Sequence, residues 1–212
     1  MHIGALSPTN TSAGRGMLKD DQGWPYIPAS HFKGRLRHAI ERIARGFDLY
    51  VCDTHRRMCR DKQNSCPVCS IFGAPWIPGS VRFEDLTLSG PDHLAQQREE
   101  GRAPSTVQRH GVGLSRKRKV TEDALLFTTE LFQPGVPLEF SGPIQGATTQ
   151  EQAAWLFAGI RYLESVGSDR TRGLGWVVGE TTVSTEEGEE LSAEALQQVL
   201  EKIVRSAEAS HE

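Results

Sequence analysis

No apolar run in this sequence approaches the ~20 residues that a membrane-spanning helix needs. No cysteine occurs outside residues 52–69, and no acidic residue occurs between Gly101 and Lys119. The opening Met1-His2-Ile3-Gly4 lacks the charged and apolar regions of a secretory signal, so a cytoplasmic location is expected, where thiols stay reduced. No internal repeat and no low-complexity tract interrupts the chain. What remains is 212 residues, a length that suits one domain with insertions, or at most two small ones, and buries a core without disulfides or metal to rescue it.

The formal net charge of -3 conceals an uneven distribution. Ser30 to Arg60 carries eight Lys/Arg against three acids, Gly101 to Lys119 six against none, and Glu180 onward two against nine acids. The acidic tail masks two basic stretches, and those are where a polyanion would be sought. Ordinary solvated surface is the plainer reading of any charge run.

Residues 1–23 read mostly as loop, and Pro25-Tyr26-Ile27-Pro28 as extended backbone. Ser30 has the chemistry of an N-cap, and Phe32, Leu36, Ile40, Ile43 and Phe47 follow at helical spacing, predicting an amphipathic helix to about Gly46. Ser80 to Leu88 alternates as one strand with Val81, Phe83 and Leu86 inward. Residues 89–106 read as a mobile loop. Leu125–Phe132 and Val136–Ile144 read as two strands joined across Gln133-Pro134-Gly135. Further elements are a helix from Gln150 to Ser165, a strand from Trp176 to Val183, and a helix from Leu191 to Ala207 with Leu196, Val199, Ile203 and Val204 on one side. That order suits an α+β sandwich with helices on one sheet face.

Cys52, Cys59, Cys66 and Cys69 fall within eighteen residues as C-x6-C-x6-C-x2-C. Cys66-Pro67-Val68-Cys69 is the tight turn that lets two thiolates share one tetrahedral ion, so structural zinc is the expected cofactor. Four sulfur ligands leave no open position for catalysis. His55 is a substitute ligand for one cysteine, and a disulfide pair or inert thiols are the other readings.

Three basic segments are candidates for contact with nucleic acid. Ser30-His31-Phe32-Lys33-Gly34-Arg35 places unpaired N–H groups and a lysine at a helix start, with Arg37 one turn beyond Lys33. Arg170-Thr171-Arg172-Gly173-Leu174-Gly175 is a basic, glycine-bearing turn. Val107 to Val120 combines Arg109, His110, Arg116, Lys117, Arg118 and Lys119 with two glycines as a hairpin suited to salt-sensitive phosphate contacts. A capped helix and a solvated basic loop are the plainer readings of these segments.

In order along the chain, four stretches together resemble the RAMP superfamily, the repeat-associated proteins that form the backbone of type III CRISPR effectors. They are Trp24 to Arg37, Cys66-Pro67-Val68-Cys69-Ser70-Ile71-Phe72-Gly73, Val81-Arg82-Phe83-Glu84-Asp85, and Arg170 to Gly175. The family's Pro-Gly-Ser-Ser-Leu-Lys-Gly stands here as Pro28-Ala29-Ser30-His31-Phe32-Lys33-Gly34, with lysine and glycine retained.

The resemblance implies an RRM-like, ferredoxin-type core spanning residues 1–212, a zinc-binding insertion over 48–80, and a loop and thumb-like β-hairpin insertion over 89–124. It implies that Ser30, His31, Lys33, Arg37, Arg170 and Arg172 hold guide-RNA backbone, and that Arg109, His110 and Arg116 belong to the thumb. Guide RNA, complementary target RNA and paralogous effector subunits would be the partners. Subunits of this kind that cut RNA use an N-terminal-loop aspartate. Lys19-Asp20 matches the family's Arg-Asp, and a direct count then places Gly14 at the cutting position, so a non-cleaving copy is expected. The family's first strand should precede His2-Ile3-Gly4, which implies a trimmed start or a strand supplied from elsewhere.

A guide-binding backbone subunit is therefore the expectation. A metal-dependent endoribonuclease using His31 or His110 is the alternative within the same architecture. A zinc-stapled protein–protein adaptor is the alternative from another class.

Overall fold

The computed structural model describes residues 4–5, 16–53, 57–89, 96, 99–101, 106–132, 138–168 and 170–209. Gly14, His55, the expected turn at 133–135 and most of the expected loop over 89–106 lie outside the described residues. In chain order the elements are β1 (Gly4–Ala5), β2 (Gly16–Met17), β3 (Tyr26–Ile27), α1 (Ala29–Gly46), α2 (Pro67–Phe72), β4 (Val81–Phe83), β5 (Leu86–Ser89), β6 (Thr106–Leu114), β7 (Thr121–Phe132), β8 (Glu139–Ser141), β9 (Ile144–Gly146), α3 (Gln150–Arg161), β10 (Val183–Ser184), β11 (Glu190–Leu191) and α4 (Ala193–Glu208). Helices and small antiparallel sheets mix, as an α+β class requires. The chain forms two compact units, one of Met1–Pro28, Asp85–Gly142 and Ser165–Trp176, the other of Ala29–Glu84, Pro143–Glu164 and Val177–Glu212.

In the first unit β3, β5 and β8 form a three-stranded antiparallel sheet, and β6 and β7 form a long hairpin running from Thr106↔Phe132 to Leu114↔Thr121. Its core gathers Met17, Trp24 and Phe132, with Leu88 and Leu138 against them. Trp24 is 1% exposed, and the turn before it is set by Asp20, whose Oδ1 accepts from the N–H groups of Gln22 (3.0 Å) and Trp24 (2.8 Å). Such a local carboxylate turn is a usual use of aspartate.

In the second unit α1 packs on α3 and α3 on α4, with α2 against α1. The expected stripe on α1 is realised by Phe32, Leu36 and Ile40, joined by Ala39 and Ala44. At the α1–α3 crossing a Cβ on Gly159 would stand 2.5 Å from Ile40 Cγ1, so the backbone approaches as closely as glycine permits. A capping box, Thr149 with Gln152, opens α3, and the Ser192 hydroxyl caps α4. On α4, Leu196 is buried and packs with Val199 against Ala153 and Ala154 of α3. β4 pairs with β9, and the Phe83 ring stacks on Phe72 at 5.8 Å and meets Phe32 edge-on at 6.1 Å.

Several expectations are corrected. Helix α1 begins at Ala29, so Ser30 lies in its first turn and is not the cap. Phe47 is 48% exposed because the helix ends at Gly46 and the stripe ends with it. The strand expected from Ser80 to Leu88 is two strands in two sheets, broken at Glu84-Asp85, where the Glu84 N–H bonds to the Pro143 carbonyl. β7 pairs with β6, so the hairpin expected over Val107–Val120 reaches on to Phe132, and the segment 136–144 yields β8 and the start of β9, separated by Gly142-Pro143. Helix α3 ends at Arg161. Between Trp176 and Val183 there is no continuous strand: Trp176 makes an isolated bridge to Ser165, and pairing resumes only at β10.

Candidate metal centre and basic clefts

The four cysteine sulfurs all lie within 4.8 Å of one another, with Cys52, Cys66 and Cys69 buried and Cys59 partly so. Cys52 Sγ stands 3.3 Å from Cys69 Sγ and 3.7 Å from Cys66 Sγ. A tetrahedron with metal–sulfur bonds of ~2.3 Å requires sulfurs about 3.8 Å apart, so the cluster is sized for one ion. Local sequence explains the placement. Pro67 opens α2, the Cys69 N–H donates to Cys66 Sγ at 3.5 Å, and the Cys66 N–H donates to Cys59 Sγ at 3.4 Å. Gly73 ends α2 at φ 85, packed so closely on Gly79 and Ile77 that a side chain has no room.

Burial pushes the Cys52 thiol well above its ordinary range, helped by the neighbouring Cys69. Burial also raises Cys69. For Cys66 burial is outweighed by backbone hydrogen bonds from Cys52 and Cys69, and its thiol is lowered. The Cys52 and Cys69 thiols are costly to ionise without a cation, which a bound ion would supply while displacing their protons. The donor set fits a closed, structural site; its four sulfurs are the only ligands it needs.

Arg37 reaches this cluster from α1. Its Nη2 donates toward Cys69 Sγ (3.6 Å), Nη1 to the Gly73 carbonyl (3.0 Å) and Nε to Glu41 Oε1 (3.2 Å). Lys33, one turn earlier, instead lines an open cleft of about 310 Å³ with Ala29, Ser30, Val81, Arg82 and Phe83. Ser30 is exposed and His31 half-buried. Arg82 escaped the sequence reading. The available signal was its position on β4 between two inward residues, which turns it away from Val81 and Phe83.

In the other unit Arg109, His110 and Arg172 line one cavity of about 170 Å³ with Gly111, Val112, Phe127, Thr129, Leu131 and Leu174. The Arg172 guanidinium lies 5.5 Å from the Phe127 ring centroid, and His110 Nδ1 is 2.9 Å from Thr128 Oγ1. Gly111 stands opposite Phe127, where a Cβ would come within 2.5 Å of the ring. Phe127 also went unremarked in the sequence, though an aromatic opposite a strand glycine is a recognisable pairing. Arg116 is exposed in the turn joining β6 to β7, and Arg170, exposed in a single 3-10 turn with Arg172, does not line the cavity. Asp20 is occupied by its turn. No described helix is long and apolar enough to cross a membrane.

A mixed α/β chain with small antiparallel sheets and a four-cysteine turn defines the class. The family model of the RAMP superfamily matches residues 2–178, and the chain belongs to that superfamily. Its fold is similar to that of a chain in the cryo-EM structure of the Type III-B Cmr-beta in the apo state, with TM-score 0.54, 15% identity, and coverage of 85% of this chain and 92% of that one. It is also similar to a chain in the Type III-B Cmr-beta bound to cognate target RNA, with TM-score 0.53, 15% identity, and coverage of 84% and 91%. No curated protein matches.

Proposed function

We propose that this chain is a guide-RNA-binding backbone subunit of a cytoplasmic type III CRISPR ribonucleoprotein, taking part in recognition of complementary target RNA in antiviral defence. Its core would be RRM-like, with the metal segment (48–80) and the segment 89–124 as insertions, the latter supplying β6 and the tip of the β6–β7 hairpin as the thumb. Zinc is the proposed ion at Cys52, Cys59, Cys66 and Cys69.

The observation that carries the reading is the cavity in which Arg109 and His110, adjacent on β6 and expected in the thumb, meet Arg172, a residue distant in sequence and expected on guide backbone. Cationic side chains beside an aromatic ring suit a sugar-phosphate strand and its bases. Ser30, His31 and Lys33 at the start of α1 would hold guide backbone, Arg37, with its guanidinium held by Glu41, Gly73 and Cys69, would support that helix from behind, and Arg116 and Arg170 would add phosphate contacts. Membership of the RAMP superfamily, and the likeness to a chain of a complex bound to target RNA, support the same reading.

Nitrocellulose-filter binding of labelled guide RNA tests it. Affinity should fall steeply with salt, and combining Lys33→Ala with Arg172→Ala should flatten that dependence. Unchanged binding in the double variant counts against the proposal. Purified protein free of nucleic acid, judged by absorbance ratio, would favour the adaptor. Cleavage of complementary RNA by an assembled complex, lost on Asp20→Ala or Asp21→Ala, would favour the nuclease.

A further inference from the structure

Basic residues on α1 appear equivalent by sequence, but the structure separates them. Lys33 lines the open cleft, whereas Arg37 is turned toward the cysteine turn. The Arg37 side chain is only 19% exposed, and the Glu41 carboxylate that holds its Nε is 8% exposed. All three nitrogens of the guanidinium have a partner: Glu41, the Gly73 carbonyl and the Cys69 sulfur.

We propose that Arg37 is a positioning residue of the metal centre, whose guanidinium donates to the metal-bound sulfur of Cys69 while clamping the end of α2 through Gly73. The inference rests on the zinc reading above and adds a residue to it. Four thiolates around a divalent ion carry two excess negative charges, which a desolvated site must offset. A cation donating to one sulfur withdraws electron density from it, lowers its nucleophilicity and fixes its direction toward the ion. The planar fork matters because one side chain must reach a sulfur and a carbonyl in parallel, which a lysine ammonium, a point charge on a flexible stem, does not reproduce. Glu41 sets the plane of the fork. The same bonds tie α2 to α1, whose preceding turn carries Lys33.

Partners that orient metal ligands typically change affinity by 10–100-fold when removed. Purified full-length protein carrying one zinc ion would be titrated with a chromophoric chelator, and the cobalt-substituted protein examined for its sulfur-to-metal charge-transfer band. Arg37→Gln should bind zinc at least about tenfold more weakly and shift that band; Arg37→Lys should fall between it and the unaltered protein. Lys33→Ala should match the unaltered protein in both measurements. Zinc affinity within twofold and an unshifted band in Arg37→Gln would overturn the inference, as would an equal loss in Lys33→Ala. If Arg37→Gln does not fold, Arg37→Lys decides, and parity with the unaltered protein refutes the proposal. An unaltered protein that retains no metal overturns the zinc reading itself, a result distinguishable from bound zinc that is indifferent to Arg37.

Discussion

Lys19 and Glu130, 111 residues apart in sequence, form an ion pair of 2.6 Å in which the carboxylate is almost wholly buried. The other Glu130 oxygen accepts from the Met17 N–H at 3.1 Å, and the Thr106 hydroxyl donates at 2.7 Å, so one carboxylate joins β2, β6 and β7. Burial alone would raise its pKa, but these donors outweigh it and hold the group below the usual carboxylate range.

Because the folded pKa is depressed, Glu130 contributes stability that is present above the unfolded value of about 4.3 and lost as pH falls through the lower folded value. Glu130→Gln should therefore lower the midpoint of urea unfolding at pH 7 and narrow the difference at pH 3. Breaking a buried pair by removing one charge costs about 3–5 kcal/mol at the upper end, less here because Lys19 is partly exposed. Equal midpoint shifts at both pH values would refute the assignment.

Gly159→Ala should be destabilising, although alanine is the better helix former. The added methyl meets Ile40 and Leu36 at the α1–α3 crossing, and overpacking of this kind costs about 1–3 kcal/mol. Gly34→Ala on α1, where nothing stands within 4 Å of the added carbon, should instead leave stability equal or slightly higher. Thermal unfolding of the two variants side by side is the check.

Removing the ion should loosen the cysteine segment before it affects the helix pack. Treatment with a strong chelator should make Cys59, the least buried of the four, the first to react with an alkylating reagent, followed by the others. Cys66→Ser should abolish metal retention and accelerate amide exchange over residues 57–73. Retained zinc in that variant would show that a different ligand set holds it.

Arg82→Ala should weaken guide-RNA binding about uniformly across sequences and reduce the salt slope by about one, as expected for one phosphate contact. Phe127→Leu should weaken binding with little change in salt slope, because it removes a ring and no charge. Filter binding at several salt concentrations separates the two.

Periodicity exposed the helices because 18 residues from Ala29 and 16 from Ala193 each carry a continuous apolar stripe. The cysteine cluster was legible from spacing alone, since a two-residue gap with proline dictates a local turn. Strands were harder. β4 and β9 are three residues each, too short for alternation to mark their ends, and β6 was obscured by the glycines that accommodate Phe127 and Leu125 across the hairpin. The Trp176–Val183 stretch alternates like a strand but lacks a partner along its length, and pairing is a tertiary fact that no local pattern records. Arg37 shows the same limit at the site: spacing placed it beside Lys33, and only the fold revealed the different direction of its guanidinium.

The interleaving of the two compact units has a consequence for biosynthesis. The first draws on three separate stretches and is complete once Trp176 has emerged from the ribosome. The second starts at Ala29 and waits for α4 at the far end to cover Ala153 and Ala154. During translation the apolar side of α3 therefore stays bare longest, and a stalled or truncated nascent chain would present it to chaperones.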